Sequence, residues 1–218
     1  MSLTIYPGNE IEQKLIVAGK TVCAMDEVGR GAWAGPLVIA CVIPGAGTIE
    51  GVRDSKKISI KKREQLSEKI WAWAKTIGIG ATSNEEIDKY GLGRCLTIAA
   101  IRALENIDKL FKPDYVLLDG SHNFIKNNSY EVQTIVKGDN ISHAIAAASI
   151  VAKVYRDNIM SSTECIDKYG VYGFEKNKGY PSPAHRQALS QYGPCDMHRV
   201  SWNIFEPIDE SMIADALV

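Results

Sequence analysis

Residues 21–31 read TVCAMDEVGRG. The apolar run TVCAM is typical of a buried β-strand, and it leads directly into two adjacent carboxylates, Asp26 and Glu27, and then into Gly29-Arg30-Gly31. Carboxylate oxygens bind hard cations such as Mg²⁺, whereas Arg and exposed glycine N–H groups bind phosphate oxygens. The stretch therefore predicts a strand whose end joins metal ligands to a phosphate-binding loop. The alternative from these residues alone is a strand that ends in a solvated acidic turn.

Two further acidic strand ends follow this one. Residues 115–120 read YVLLDG and place Asp119 before a glycine, and residues 131–139 read EVQTIVKGD and end at Asp139. If the first two strands are parallel neighbours, their carboxyl ends lie on one edge of the sheet, where open α/β sheets bind ligands. Clustered carboxylates repel one another unless a cation lies between them. The pattern therefore predicts a divalent metal site at this edge.

These residues belong to a set of six motifs that together resemble the ribonuclease HII family, the type 2 ribonucleases H. The motifs occur in the family's order and span most of the chain: DEVGRG (26–31), DSKK (54–57), LLDG (117–120), KGD (137–139), AASIVAKVYRD (147–157) and KGYP (178–181). The resemblance implies an α/β fold of the ribonuclease H type. It would have a mixed five-stranded sheet flanked by helices and a small helical C-terminal region.

The resemblance also implies a reaction. The family is a metal-dependent endonuclease that cuts RNA–DNA hybrids, and DNA duplexes with embedded ribonucleotides, to leave 5′-phosphomonoester ends. Transferred to this chain, the ligands of two Mg²⁺ or Mn²⁺ ions are Asp26, Glu27, Asp119 and Asp139. One ion would lower the pKa of an attacking water, and the other would stabilise the leaving 3′-oxygen.

Substrate recognition is implied at a second group of positions. In the family, the Gly-Arg-Gly backbone and a tyrosine read the junction between ribose and deoxyribose, and here these are Gly29, Arg30, Gly31 and Tyr180. The 2′-hydroxyl is the group that distinguishes RNA from DNA at a given site. The alternative for Tyr180 is a purely structural role in a Gly-Tyr-Pro turn.

The charge distribution supports a localised contact with nucleic acid. The net charge of −1 argues mildly against a nucleic-acid protein, but residues 53–63 read RDSKKISIKKR. We interpret this basic run as a phosphate-contacting patch that includes Lys56 and Lys57. The alternative is a solvated helix face.

Composition limits the organisation of the chain. With 218 residues of which 45% are hydrophobic, we expect one domain over residues 1–218, with a catalytic core at about 21–170 and the C-terminal helical region at about 171–218. No run is long enough for a membrane span, and residues 1–20 lack the features of a signal peptide. The five cysteines are scattered without a Cys-x-x-Cys pair. The cysteines suit a reducing cytoplasm best, and we expect the protein to act there as a monomer.

The predicted strands lie at about residues 21–25, 37–43, 76–81, 115–118 and 130–136. Predicted helices cover residues 59–74 with Ser59 as the cap, a region after the capping-box pair Ser83 and Glu86, and residues 92–110. An alanine-rich helix begins at Ser142 and could continue to residue 168.

This last helix separates two candidate ligands. At 1.5 Å per residue, Asp157 would lie roughly 23 Å from the helix start, whereas Asp139 lies beside it. We therefore assign Asp139 to the metal site and interpret Asp157 as a structural ion-pair partner.

Other kinds of function remain open from the sequence. His122 follows the second acidic turn, but no His-x₃-His pair indicates zinc and no Gly-x-Ser-x-Gly motif indicates a serine hydrolase. One alternative is a metal-dependent phosphatase, or a nuclease with no preference for ribose. Another is a nucleic-acid-binding module that has lost catalysis, which the complete set of carboxylates disfavours.

Overall fold

The structure is a computed structural model that describes residues 6–107, 111–125, 130–202 and 204. Five strands form one mixed sheet: β1 (Val22–Val28), β2 (Leu37–Ile43), β3 (Thr76–Thr82), β4 (Tyr115–Asp119) and β5 (Glu131–Ile135). Their order across the sheet is β3-β2-β1-β4-β5. The pairs β1–β2 and β2–β3 are antiparallel, and the pairs β1–β4 and β4–β5 are parallel. The predicted five-stranded mixed sheet is confirmed.

The helices of the described residues are α1 (Glu10–Val17), α2 (Ile60–Trp73), α3 (Asn84–Tyr90), α4 (Leu92–Glu105), α5 (His143–Met160), α6 (Thr163–Tyr169), α7 (Phe174–Asn177) and α8 (Pro183–Tyr192). Helix α4 packs on β3 and β2, and α5 packs on β1 and β2. A side chain at Gly78 or Gly80 would collide with the α4 backbone at Ala103 or Ala99. These two glycines therefore let α4 approach the sheet closely.

Strand β1 is longer than predicted, and this changes where its carboxylates lie. It pairs with β2 as far as Val28 opposite Val38, so Asp26 and Glu27 lie within the strand and not beyond its end. Because side chains alternate along a strand, Asp26 shares the face of Ala24, which packs against α5. The prediction ended the strand at the first charged residue, although main-chain pairing continues regardless of side-chain charge.

Two helix ends also differ from the prediction. Helix α5 ends at Met160, because Ser162 caps a separate helix, α6, by accepting a hydrogen bond from the Cys165 N–H group. Helix α4 ends at Glu105, short of the predicted end, and residues 108–110 lie outside the described residues. The capping box of Ser83 and Glu86 is confirmed.

Ser59 precedes α2 at the predicted cap position, but its side chain makes no capping hydrogen bond. Helices α7 and α8 lie in the predicted C-terminal region, of which residues 203 and 205–218 are outside the described residues. No helix in the described part of the chain is long and apolar enough to cross a membrane.

Candidate functional site

A cavity of about 310 Å³ lies where the predicted carboxylates meet. Asp26 and Glu27 come from β1, Asp119 comes from the end of β4, and Asp139 comes from the turn after β5. The other lining residues are Val28, Ser55, Lys56, Ser149, Lys153 and Tyr180. The fold thus brings all four predicted metal ligands to one cavity at the ends of the parallel strands.

A short hydrogen bond joins the two acidic turns. The Oδ1 atom of Asp119 accepts from the N–H group of Gly138 at 2.6 Å. Gly138 begins a 3-10 turn, Gly138–Asn140, which follows Lys137 in the left-handed conformation (φ 55°). This bond therefore fixes the turn that carries Asp139 to the end of β4.

The DSKK motif supports the same turn from the other side. The Nζ atom of Lys57 donates to Oδ1 of Asn140 at 2.7 Å, and Nδ2 of Asn140 donates to Oδ1 of Asp139 at 2.6 Å. Asp54 caps the motif by accepting from the N–H group of Lys56 at 3.0 Å. Lys57 is therefore engaged with protein groups, whereas Lys56 lines the cavity.

Burial and repulsion between like charges raise the pKa values of three of these carboxylates, Asp26, Glu27 and Asp139. The pKa of Asp26, which is 8% exposed, is raised well above its usual value by burial and then by the charges of Asp119 and Glu27. Burial, followed by the charges of Asp54 and Asp119, raises the pKa of Asp139. Burial also raises the pKa of Glu27, against the effect of Arg30, whose guanidinium lies 3.6 Å from its carboxylate. The cavity concentrates negative charge that a bound cation would relieve.

The donor set suits a hard divalent cation. Carboxylate and hydroxyl oxygens are ligands that Mg²⁺ and Mn²⁺ accept, and the cavity presents four carboxylates beside two serine hydroxyls. In residues 6–107, 111–125, 130–202 and 204, however, no three His, Cys, Asp or Glu side chains converge closely enough to hold a metal ion. The residues fit such ions by their chemistry.

Three polar lining residues were not predicted as site residues. The hydroxyls of Ser55 and Ser149 are hydrogen-bonded at 2.9 Å, and hydrogen bonding from Ser149 lowers the pKa of Asp26 against the larger effect of burial. Lys153 follows Ser149 by one helical turn in α5. In the sequence, these site residues could have been inferred from Ser149 and Lys153, two polar residues on one face of an otherwise alanine-rich helix. Helix packing alone also explains that pattern.

Tyr180 meets the Gly-Arg-Gly loop at the edge of the cavity. Its hydroxyl oxygen accepts a hydrogen bond from the N–H group of Gly29 at 3.1 Å. Gly29 has a φ of 92°, and a side chain there would collide with Arg156 and with the carbonyl oxygen of Pro36. Glycine is therefore required at this position by conformation and by space.

Two buried arginines clamp the loop that begins at Gly29. Arg156 donates to the carbonyl oxygens of Ala34, Pro36 and Lys178 at 2.7–2.9 Å. Arg199 donates to the carbonyl oxygens of Gly29, Arg30 and Gly35 at 2.7–3.2 Å. These arginines hold the loop against the KGYP segment.

Arg30 and Gly31 form the exposed part of this loop. The Arg30 side chain is 59% exposed, and the space around the Gly31 Cα is open. Arg30 also lines a neighbouring groove of about 380 Å³, which contains His122. The structure therefore places His122 beside the Gly-Arg-Gly loop and outside the carboxylate cavity.

Asp157 does not line the carboxylate cavity; it forms ion pairs with Arg63 and Lys153. Arg63 and Lys153 bind the two carboxylate oxygens of Asp157 at 3.1 and 2.7 Å. Arg63 is 7% exposed and also donates to the carbonyl oxygens of Ser55 and Ile58. The prediction that Arg63 belongs to a phosphate-contacting patch was wrong, because its guanidinium is buried and donates its hydrogen bonds to Asp157, Ser55 and Ile58.

Comparisons with known proteins agree with this architecture. The family model for ribonuclease HII matches residues 24–205. A ribonuclease HII from Streptomyces avermitilis is 40% identical over 94% of this chain and 87% of its own length. One from Caldicellulosiruptor bescii is 42% identical over 88% of this chain and 92% of its own length.

A solved structure extends the likeness to three dimensions. The crystal structure of ribonuclease H2 from Pyrococcus horikoshii has a TM-score of 0.70 and 28% sequence identity, over 88% of this chain and 98% of that one. With the family match over most of the sequence and the same fold, the chain belongs to the ribonuclease HII family and is a nuclease.

Proposed function

We propose that this chain hydrolyses the RNA strand of RNA–DNA hybrids and nicks duplex DNA on the 5′ side of an embedded ribonucleotide. The observation that carries the proposal is the hydrogen bond between Gly29 and Tyr180 at the rim of the carboxylate cavity. It places a polar backbone and an aromatic ring beside the acidic groups. A general metal-dependent nuclease needs the acidic groups, but it needs no such sugar-reading edge.

Different residues of the chain would bind the metal ions and the substrate. Asp26, Glu27, Asp119 and Asp139 would hold two Mg²⁺ or Mn²⁺ ions, which would lower the pKa of a bound water and stabilise charge on phosphate oxygens. The Gly29-Arg30-Gly31 backbone binds the ribose 2′-hydroxyl, and the Tyr180 ring packs on the next deoxyribose. Lys56 binds a phosphate near the cavity, and Lys57 contributes through the Asp139 turn.

Hydrolysis breaks the bond between phosphorus and the 3′-oxygen of the upstream nucleotide. Water supplies the new oxygen on phosphorus, and a proton ends on the released 3′-oxygen. The ribonucleotide stays at the 5′ end of the downstream fragment with a 5′-phosphate. We further propose that residues 1–218 form one domain that acts as a cytoplasmic monomer.

One gel experiment tests this function. Four duplexes are compared in Mg²⁺ and in EDTA: DNA with one ribonucleotide, an RNA–DNA hybrid, all-DNA and all-RNA. We expect Mg²⁺-dependent cutting of the first two only, with the nick 5′ of the single ribonucleotide. Efficient cutting of the all-DNA duplex would overturn the proposed selectivity.

The proposed ligands are tested on the same gel. Each carboxylate is replaced by its amide, which removes a charge while preserving size, and each variant should fold and lose nearly all cleavage. Wild-type turnover in any one variant would remove that residue from the site. The substitutions are Asp26→Asn, Glu27→Gln, Asp119→Asn and Asp139→Asn.

The sugar-reading role of Tyr180 predicts an unequal effect on two substrates. Tyr180→Ala should reduce kcat/KM for a single-ribonucleotide duplex by at least about tenfold more than for a long hybrid. Within a long hybrid the next sugar is another ribose, so cleavage there does not depend on a ribose-to-deoxyribose junction. Tyr180→Phe separates stacking, which it keeps, from the hydroxyl contact with Gly29, which it removes. Equal losses on both substrates for Tyr180→Ala would reject junction reading.

A further inference from the structure

Behind Tyr180 lies a buried pair of histidines that the proposed chemistry does not use. His185 is 0% exposed and His198 is 1% exposed, and both lie outside the carboxylate cavity. Their rings pack against aromatic neighbours, with Phe174 at 5.4–5.5 Å from both ring centroids and Tyr172 at 4.8 Å from that of His198. Two polar rings in such surroundings need internal partners for their four ring nitrogens.

The contacts supply a partner for each nitrogen. The N–H group of Cys195 donates to Nδ1 of His198 at 3.0 Å. The Nε2 atoms of His198 and His185 lie 3.0 Å apart. Nδ1 of His185 lies 3.0 Å from the carbonyl oxygen of Tyr180. The four groups form one continuous chain from the segment before Arg199 to the main chain of Tyr180.

Elementary hydrogen-bond chemistry fixes which group donates and which accepts at each step of this series of hydrogen bonds. Because Nδ1 of His198 accepts from Cys195, the neutral ring must carry its proton on Nε2 and donate it to His185. Nε2 of His185 is then an acceptor, so its proton is on Nδ1. That proton is donated to the Tyr180 carbonyl, which can only accept. The Cys195 thiol, 3.1 Å from the same His198 nitrogen, would impose the same tautomer as a donor.

We propose that His185 and His198 form a neutral, directional relay that positions Tyr180 against Gly29 for sugar recognition. The relay holds the carbonyl of Tyr180 while the hydroxyl of the same residue receives the Gly29 N–H group. Arg199, the next residue after His198, holds the Gly29 carbonyl. The two sides of the reading edge are thus set by consecutive residues. This inference rests on the proposed role of Tyr180.

Electrostatics agrees with a neutral pair. Burial lowers the pKa of His198 to about 4, with a smaller effect from His185. Burial also lowers the pKa of His185, against the smaller effect of its hydrogen bond to the Tyr180 carbonyl and together with that of the Arg186 cation. A proton added to either ring would set two N–H groups against each other across one of the 3.0 Å contacts. Among the neighbouring groups, burial raises the pKa of the Cys195 thiol to about 11, so it stays protonated.

Histidine tautomers can be measured directly. Long-range ¹H–¹⁵N correlation spectra of the wild-type protein at neutral pH should show His185 protonated on Nδ1 and His198 protonated on Nε2. Assignment comes from loss of one signal set in His185→Asn and of the other in His198→Gln. The same tautomer in both residues, or a charged ring in either, would overturn the relay.

Selectivity provides the functional test. The ratio of kcat/KM for a single-ribonucleotide duplex to that for a long hybrid is measured in four variants. His185→Phe keeps a ring but removes both polar contacts, and it should lower the ratio by about tenfold, as Tyr180→Ala does. His185→Asn restores a donor near the Nδ1 position and should return the ratio to within about threefold of wild type. Phe174→Leu alters the packing around both rings but removes none of the relay's hydrogen bonds, and it should leave the ratio unchanged.

The outcomes separate the relay from the proposed function. A wild-type ratio in His185→Phe, or an equal fall in Phe174→Leu, would show that the histidines only pack. An unchanged ratio in Tyr180→Ala would reject sugar reading by Tyr180, and with it any role of the relay in selectivity. If His185→Phe does not fold, the tautomers of the wild type and the ratio in His185→Asn still decide the question.

Discussion

Asp26 is a buried carboxylate with two acidic neighbours, and its charge opposes folding unless a cation is bound. Its pKa is raised in the folded state by burial, Asp119 and Glu27. A carboxylate with a raised folded pKa stabilises the protein below its unfolded pKa. That contribution is lost as the pH rises through the folded value. At neutral pH without metal, the residue therefore lowers the free energy of unfolding.

Asp26→Asn should accordingly raise the Tm in EDTA at neutral pH, because it removes a charge that is costly to bury. The gain should shrink as the pH falls through the raised pKa of Asp26, where the wild-type carboxyl is also neutral. Addition of Mg²⁺ should raise the wild-type Tm more than that of the variant. Scanning calorimetry at two pH values tests this, and a lower Tm for the variant at neutral pH would contradict it.

At the scale of elements, the ion pairs of Asp157 link α2 to α5. Arg63 comes from α2, Lys153 and Asp157 come from α5, and the side chains of Arg63 and Asp157 are 9% and 12% exposed. A pair that is this buried gains little over apolar packing, but removal of one partner strands the other. The role of Asp157 is thus to secure the arginine that holds the DSKK motif through Ser55.

Asp157→Asn should reduce the free energy of unfolding by about 3 kcal/mol, because it leaves the Arg63 charge buried without its counterion. Activity per folded molecule, measured well below the Tm, should fall far less than in Asp139→Asn. The matched control is Asp196→Asn, which breaks the exposed, solvent-screened pair with Lys168 and should leave the free energy of unfolding nearly unchanged. Similar losses of stability in the two variants would contradict the assignment.

The two lysines of the DSKK motif should differ in their effect on binding. In an Asp26→Asn background, which prevents cleavage, Lys56→Ala should lower the slope of log affinity against log salt by about one unit, as expected for one lost phosphate contact. Lys57→Ala should change the slope less, because its ammonium group is bound to Asn140 and lies 3.5 Å from Asp54. Unchanged slopes in both variants would return the basic run to a solvated helix face, and equal decreases would show that Lys57 contacts phosphate as much as Lys56 does.

Hydrophobic periodicity and the positions of proline and glycine predicted the strands whose residues line the cavity. Strand β2 was placed correctly because an apolar run ends at a Pro-Gly break after Ile43. Helix α1 was not predicted, α6 was not separated from α5, and α7 and α8 were predicted only as an undivided helical region. These helices are short and are stabilised by contacts that only the fold supplies. One such contact is the Glu12 side chain, which accepts hydrogen bonds from Ser142 and Ala144 at the start of α5.

Some residues of the candidate site could be predicted from the sequence and others could not. Strand-end chemistry and the resemblance predicted the four carboxylates that the fold gathers. Sequence could not identify the two buried arginines as clamps, because a guanidinium that binds backbone carbonyls leaves no pattern in spacing or composition. Ser149 did leave a pattern, its spacing from Lys153 on one face of α5, but helix packing alone explains that spacing equally well.

At the scale of the whole molecule, the Gly-Arg-Gly loop is held by residues from the far end of the chain. The N–H groups of Trp33 and Ala34 donate to the carbonyl of Gly179, and that of Gly35 donates to the carbonyl of Met197. These bonds and those from Arg199 couple the loop to the C-terminal region. The loop therefore should not open independently of that region.

Arg199→Lys should loosen this coupling, because a lysine ammonium cannot span the three carbonyls that the guanidinium binds. Hydrogen exchange at the amides of Trp33, Ala34 and Gly35 should accelerate by about tenfold or more, measured by mass spectrometry or NMR. Amides in β2 serve as the internal control and should keep their wild-type protection. Wild-type exchange in the loop would show that the arginine is dispensable for its order.

The bond between Arg199 and the carbonyl of Gly29 joins residues 170 positions apart. On the ribosome, β1 emerges with Asp26 and Glu27 long before Arg199 has been made, and synthesis adds residues at about 5–20 per second. A nascent chain thus carries its acidic residues for some seconds before it has the clamp for the Gly29 loop. If that loop reads the sugar, the nascent chain acquires discrimination only after its acidic residues have been made.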